Sequence, residues 1–347
     1  MIKPKRLKAG DKVAVVSLST GLLGEPWAIH KFHLAKQRMQ ELFGLELVAM
    51  PNALKGVDYL YKHPEARAED LMEAFKNPEI KAIFCAIGGY DTIRLLPYID
   101  FDVIKNNPKI FSGFSDSTTN HFMCFYAGLM SFYGPNIMND FSQYVFMSEY
   151  TINAVRKLWF DGEENFKIES SRVYSLDEDK VWWGEEHINE DRKWRTEEKG
   201  YEILQGTGKV QGELLGGCID VFFDLLGTKI WPKTEEWKNK ILFFENCEAN
   251  MTPEILESLL RNLQAQGILE NLSAIMVGKP TLNDHYEDYK KSILKIVAEE
   301  AGLKDMPIIY NVNFGHSAPM GIIPYGAKCE IDADNKTITL LESVVVD

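Results

Sequence analysis

Apolar runs and amphipathic stretches alternate along the first half of the chain. Residues 12–17 (KVAVVS) and 80–87 (IKAIFCAI) are short and nearly continuous in apolar side chains. Such runs predict strands buried on both faces of a covered parallel sheet. Residues 45–50, 110–111 and 129–133 predict three more strands. Between them, apolar positions recur at helical spacing over 27–43, 66–77 and 118–127, with a shorter helical turn leading to Leu96-Pro97. Strand–helix alternation predicts an α/β fold with a doubly wound parallel sheet. Ligands of such sheets bind beyond the carboxyl ends of the strands.

The pattern changes after about residue 161. Residues 163–208 are dense in charge, carry Trp182, Trp183 and Trp194, and show little periodicity. They are expected to form a linker with an ordered, tryptophan-bearing loop, because free linkers rarely hold three tryptophans. Periodicity returns near residue 209. Strands are expected at 241–244, 272–277 and 307–312, and helices at 253–266 and 285–301. Residues 328–331 and 337–346 read as a closing hairpin around 332–336. The expected division is an N-terminal domain of residues 1–162, the linker and loop at 163–208, and a C-terminal domain of 209–347.

Composition narrows the class. With 347 residues and 45% hydrophobic content, the chain can bury one large core or two ordinary ones. A net charge of −13 argues against a nucleic-acid surface, which needs clustered Lys and Arg. The five cysteines are scattered without a C-x-x-C pair, as in reduced proteins of the cytoplasm. The basic start, Met1 to Arg6, is not followed by an apolar segment, and no window is long and apolar enough to span a membrane. A cytoplasmic protein with neither nucleic acid nor membrane as partner is the expectation.

Three strand ends carry candidate chemistry. Gly113-Phe114-Ser115-Asp116-Ser117-Thr118 follows an apolar run and precedes a helix, a context that lifts a serine hydroxyl above a sheet edge. An ordinary helix N-cap gives the same pattern. Glu245 directly follows the run 241–244, and is either the first solvated residue after a strand or the acid of a catalytic triad. Glu248, on the same loop, is a rival. Of the seven histidines, His316 alone is framed by glycine and small residues at a strand end, although a loop histidine with a structural role fits too. Gly88-Gly89 offers bare backbone where a reacting carbonyl could approach, and the amides of Gly89 and Asp116 are candidate oxyanion donors. The chain has no dinucleotide fingerprint, no P-loop and no metal-ligand spacing of Cys and His, so no cofactor and no metal are expected.

Taken together, these segments resemble the LD-carboxypeptidase family of serine peptidases. The resemblance rests on residues 5–17, Gly88-Gly89-Tyr90 with Arg94 to Tyr98, the Ser115 segment, Gly212 to Gly217, Leu242 to Glu245, and Gly315-His316 followed by Pro324-Tyr325-Gly326. It implies a flavodoxin-like N-terminal domain beside a smaller β-rich C-terminal domain, with the triad split between them. Ser115 would be the nucleophile, His316 the general base and Glu245 the triad acid, with Gly89 and Asp116 as the oxyanion hole. It also implies a homodimer. One branch of the family trims the terminal D-alanine from murein tetrapeptides. The other, MccF-like branch confers microcin C immunity by cleaving an aminoacyl group from a nucleotide-like leaving group. The longer tryptophan-bearing loop resembles the second branch, with Trp182 and Trp183 as substrate-stacking candidates. Ile87 and Asp91 depart from the family pattern around the glycines. A non-catalytic module that clamps a small ligand between two lobes is the alternative outside the enzymes.

Overall fold

Two sheets carry the chain. The computed structural model describes residues 1–347 except 180–182, 248–250 and 283. The first sheet is built from β1 (Lys12–Val16), β2 (Glu46–Ala49), β3 (Ile80–Cys85), β4 (Ile110–Gly113) and β5 (Phe132–Tyr133). These five are parallel and run in the order β5-β4-β3-β1-β2, the flavodoxin-like doubly wound order. All four residues of β4 are buried, as expected for a strand covered on both faces. The helix Ile29–Phe43 buries Phe32, Ala35, Met39 and Phe43, which share one face at helical spacing. Gly44 ends that helix at a φ of 70°, which glycine adopts without a Cβ penalty. The fifth strand is shorter than the apolar run suggests. Leu129 is taken up by an isolated bridge to Ile2, so pairing with β4 begins only at Phe132.

The second sheet is larger and richer in β-structure. It draws on β6 (Phe166–Ile168), β9 (Glu202–Gln205), β10 (Lys209–Cys218), β11 (Lys240–Glu245), β12 (Ala274–Gly278), β13 (Ile308–Val312), β15 (Lys328–Asp332) and β16 (Thr337–Leu340). Its order is β6-β16-β15-β10-β11-β12-β13-β9, with a parallel centre from β10 to β13 and antiparallel flanks. β7 (Val173–Tyr174) and β8 (Arg195–Thr196) form a separate small ribbon. The stretch 163–208 thus does more than connect, because β6 and β9 close the two edges of the large sheet. The closing hairpin forms as β15 and β16, ending at Leu340. The helix expected over 285–301 is α-helical over Tyr286–Leu294 and continues as π-helical turns over Lys295–Glu300.

β10, a strand of ten residues, has no apolar run to announce it, because Gly212, Gly216 and Gly217 interrupt the pattern. Their cause is visible in the packing. A Cβ on Gly216 would run into the Phe243 carbonyl of the neighbouring strand, and one on Gly217 would lie 2.6 Å from the Thr118 methyl.

One segment crosses between the sheets. After β13 the chain runs through residues 313–322 and then forms β14 (Ile323–Pro324), which pairs antiparallel with β5 at the edge of the first sheet. The loop between β13 and β14 is therefore tied to one sheet at each end.

Candidate active site

The strand-to-helix connection at Ser115 is strained. Ser115 has a φ of 62°, unusual for a residue with a side chain, and leads through one 3-10 turn into the helix Thr118–Tyr126. That geometry points the hydroxyl away from the sheet, as in a nucleophile elbow. Space for it is left by Gly88, where a Cβ would come within 2.8 Å of the Ser115 Cβ and 3.0 Å of its Oγ.

His316 and Glu245 reach this hydroxyl from the second sheet. Ser115 Oγ lies 3.0 Å from His316 Nε2, and His316 Nδ1 lies 2.8 Å from Glu245 Oε2. Glu245 ends β11 and is 1% exposed, so its carboxylate acts where water screens it little. Gly315 makes the approach possible: at a φ of 100°, it would place a Cβ 2.5 Å from Glu245 Cγ. The loop is pinned by Ser317 Oγ, which donates to the Pro280 carbonyl at 2.7 Å, and by Asn313 Oδ1, which accepts from the Ser171 amide at 2.9 Å. Burial pushes the His316 imidazole toward its neutral form, but the adjacent Glu245 carboxylate, with Cys247 beside it, outweighs this and holds its pKa well above the ordinary histidine value.

Tyr133, which is not among the candidates read from the sequence, closes the network. It is the last residue of β5 and fully buried. Its hydroxyl donates to Glu245 Oε1 and accepts from the Ser115 amide at 3.0 Å. The available signal was a tyrosine, rather than a purely apolar residue, at the end of a buried strand next to Gly134-Pro135.

The candidate oxyanion amides sit on the same rim. Asp116 follows Ser115, and its buried carboxylate accepts from Ser19 Oγ and from Thr92, at 3.0 Å from N and 2.7 Å from Oγ1. Burial pushes its pKa up, against these three hydrogen bonds. The carboxylate thereby ties the loops after β1 and β3 to the turn after β4. Gly89 has a φ of 155°, and a Cβ there would meet Ser19 Oγ. Cys218 Sγ lies with Glu245 and His316 in a group whose ligand atoms fall within 4.8 Å of one another. In this structure each is bonded within the protein, Cys218 Sγ to Asp220 Oδ2 at 3.4 Å. Trp182 and Glu248 lie outside the described residues.

Comparison with known proteins places this arrangement. Residues 13–134 match the LD-carboxypeptidase N-terminal domain, and residues 211–331 match the LD-carboxypeptidase C-terminal domain. The chain belongs to the LD-carboxypeptidase family. The Escherichia coli microcin C7 self-immunity protein MccF is 31% identical over 80% of this chain and 78% of its own. A probable murein peptide carboxypeptidase of Bacillus subtilis is 28% identical over 97% of this chain and 94% of its own. Among solved structures, the MccF-like protein from Streptococcus pneumoniae in complex with AMP superposes with a TM-score of 0.87 and 34% identity, covering 95% of this chain and 98% of that one. MccF in complex with aspartyl sulfamoyl adenosine has a TM-score of 0.85 at 25% identity, and the match spans 100% of both chains.

Within this family fold, two cavities flank Ser115. The first lies on the His316 side, and its lining mixes the aromatics Tyr144 and Trp183 and the cations Lys31 and Arg192 with the carboxylates of Asp140 and Glu190. Trp183 stacks on Trp27 with parallel rings 6.5 Å apart, and its carbonyl accepts from the Tyr144 hydroxyl at 2.6 Å. Lys31 Nζ donates to the Met138 carbonyl at 2.9 Å and sits 4.3 Å over the Tyr144 ring. The second cavity, about 580 Å³, lies on the side of Gly89 and Asp116. No helix among the described residues is long and apolar enough to cross a membrane.

Proposed function

We propose that this chain is a serine hydrolase with a Ser115–His316–Glu245 triad that cleaves an aminoacyl or peptidyl group from a nucleotide-like leaving group, and so protects against microcin C-type antibiotics. The observation that carries this reading is the continuous hydrogen-bonded chain from Ser115 Oγ through His316 to buried Glu245, at 3.0 and 2.8 Å. Nucleophile, base and orienting acid within hydrogen-bond reach are the requirements for acyl transfer through a covalent intermediate.

His316 Nε2 takes the Ser115 proton as Oγ attacks the substrate carbonyl, forming the C–O bond. Glu245 holds the tautomer with the proton on Nδ1 and stabilises the imidazolium. The Gly89 and Asp116 amides receive the oxyanion, each such donor lowering the barrier by about 3–4 kcal/mol. The imidazolium then gives its proton to the leaving nitrogen as the C–N bond breaks. Water, deprotonated by His316, releases the acyl group and restores Ser115.

The leaving group is assigned to the His316 side, since that imidazole must reach the leaving nitrogen. The aromatic and cationic residues there, Tyr144, Trp183, Lys31 and Arg192, suit a base and a phosphate-like link. The likeness to the AMP complex supports a nucleotide-like leaving group. A second reading, removal of the terminal D-alanine from murein tetrapeptides, is favoured by the likeness to the Bacillus subtilis murein peptide carboxypeptidase.

The test offers an aminoacyl sulfamoyl-adenosine and a murein tetrapeptide in parallel, with Ser115→Ala as control. Cleavage of the adenosine compound by the wild type, with turnover abolished and binding retained in the variant, is expected. Turnover by Ser115→Ala would remove the nucleophile assignment. Cleavage of the tetrapeptide alone would replace the first reading by the second.

A further inference from the structure

The second cavity differs in character from the first. It is lined by Ser115, Gly89 and Asp116 on one side and by Asp220, Asp224 and Glu254 on the other. The exposed side chains of Tyr90, Phe223 and Ile255 form an apolar rim. No Lys, Arg or His occurs among its described lining residues, and none of the three outer carboxylates is in an ion pair among the described residues. Asp220 Oδ2 accepts from the Cys247 amide at 2.9 Å and from the Cys218 thiol, which leaves Oδ1 without a partner among the described residues. Asp224 is exposed and makes no hydrogen bond within the described chain.

In acyl transfer the carbonyl oxygen turns toward the oxyanion amides while the leaving group lies on the side of the general acid. His316 lines the first cavity, and Gly89 and Asp116 line the second. Ser115 itself lines the second cavity and not the first, so with the leaving group in the first the acyl group falls to the second, an assignment that rests on the hydrolase proposed above. We infer that this cavity selects acyl groups bearing a positive charge on an apolar stem, such as lysyl or ornithyl, and rejects acidic ones. A cation between Asp220 and Asp224 gains attraction at short range, whereas a carboxylate there meets like charge. The aliphatic stem of a lysyl group would lie along Phe223 and Ile255. Burial holds the Asp220 carboxyl above the ordinary aspartate pKa, and a bound cation would favour its ionised form. MccF, by contrast, has been captured with an aspartyl group on the sulfamoyl nucleoside. The pocket of this chain is built for the opposite charge.

The experiment compares kcat/KM for lysyl, leucyl and aspartyl sulfamoyl-adenosine with the full chain. The expected order is lysyl over leucyl over aspartyl, with about 100-fold between the extremes. Asp224→Asn, a change at an exposed side chain that bonds nothing, is expected to narrow that ratio about tenfold. Glu270→Gln, which removes one negative charge from an exposed site away from the cavity, is expected to leave the ratio unchanged and so separates the pocket from the overall charge. Equal rates for the three compounds, an aspartyl preference, or the same narrowing in Glu270→Gln would overturn the inference while leaving the hydrolase intact. No cleavage of any compound would instead overturn the nucleotide-releasing hydrolase, and the inference with it.

Discussion

The Tyr133 hydroxyl donates to Glu245 Oε1 and accepts from the Ser115 amide at 3.0 Å, so a single buried group touches both ends of the proposed triad. Its role is to position: it orients the carboxylate toward His316 and holds the strained Ser115 backbone at a φ of 62°. Tyr133→Phe keeps the ring and removes the hydroxyl. Glu245 Oε1 and the Ser115 amide would each lose a partner in a place where an unmet polar group costs about 1–3 kcal/mol. We expect kcat to fall roughly tenfold with the fold retained. The pH profile distinguishes positioning from packing. His316 must be neutral to accept the Ser115 proton, so kcat/KM rises with pH as the imidazolium deprotonates. Glu245 holds that pKa above the ordinary value of about 6.5, which places the acid limb on the alkaline side of it. In Tyr133→Phe the carboxylate charge concentrates on the oxygen facing His316, and the limb is expected to move further up. A drop in kcat with an unmoved limb would reduce Tyr133 to packing.

At the scale of elements, two devices assemble the strand-end loops. The first is the loop between β13 and β14, tied to one sheet at each end, which brings His316 to a serine carried by the other sheet. The second is Arg67, fully buried on the helix Pro64–Lys76. Its guanidinium donates to the Ser19 carbonyl at 2.7 Å, to the Leu18 carbonyl at 3.2 Å and to Asp91 Oδ1 at 2.7 Å, while Arg94 donates to Asp91 Oδ2 at 2.7 Å. Asp91 thus braces the loop that carries Gly89. Removing one partner of a buried pair costs about 3 kcal/mol, and Asp91→Ala is expected to lose that much stability in urea denaturation at neutral pH. The sign with pH follows. Burial raises the Asp91 pKa, but Arg67 and Arg94 outweigh it and depress the folded value below the unfolded one. The contribution is therefore present above about pH 4 and is lost as pH falls through the folded pKa. Wild type and Asp91→Ala should converge in stability in that acid range. A constant gap down to acid pH would show that packing, not charge, accounts for the loss.

At the scale of the whole molecule, a net charge of −13 and an acidic cavity beside Ser115 act in the same direction on a cationic acyl group. They differ in range. The long-range field steers encounter and is screened beyond about 10 Å at 0.1 M salt, whereas contacts inside the cavity are screened less. Raising salt to about 0.5 M is expected to lower kcat/KM for a lysyl substrate severalfold through slower encounter, while kcat at saturation stays within about twofold. A lysyl preference that vanished altogether at high salt would assign it to the overall field and not to Asp220 and Asp224.

How much of this was legible along the chain follows from range. The parallel strands β1 and β3, the helix Ile29–Phe43 and the β15–β16 hairpin were visible because burial on one or both faces imposes a local apolar period. Ser115, Glu245 and His316 stood out because a polar residue at the end of an apolar strand breaks that period, beside glycine in the case of His316. Partnerships left no such trace. β10 was hidden because its glycines answer to the Phe243 carbonyl and to Thr118 on other elements, and β14 because two residues carry no period at all. Tyr133 sits in the sequence context of an aromatic core residue and Arg67 in that of a polar helix position, and the partners that give each its role come from distant segments. Local periodicity and turn chemistry depend on neighbours in sequence, and they specified the α/β class and the candidate side chains. The Ser115–His316–Glu245 geometry, the Tyr133 bridge and the different linings of the two cavities depend on groups far apart in the chain, which only the fold brings together.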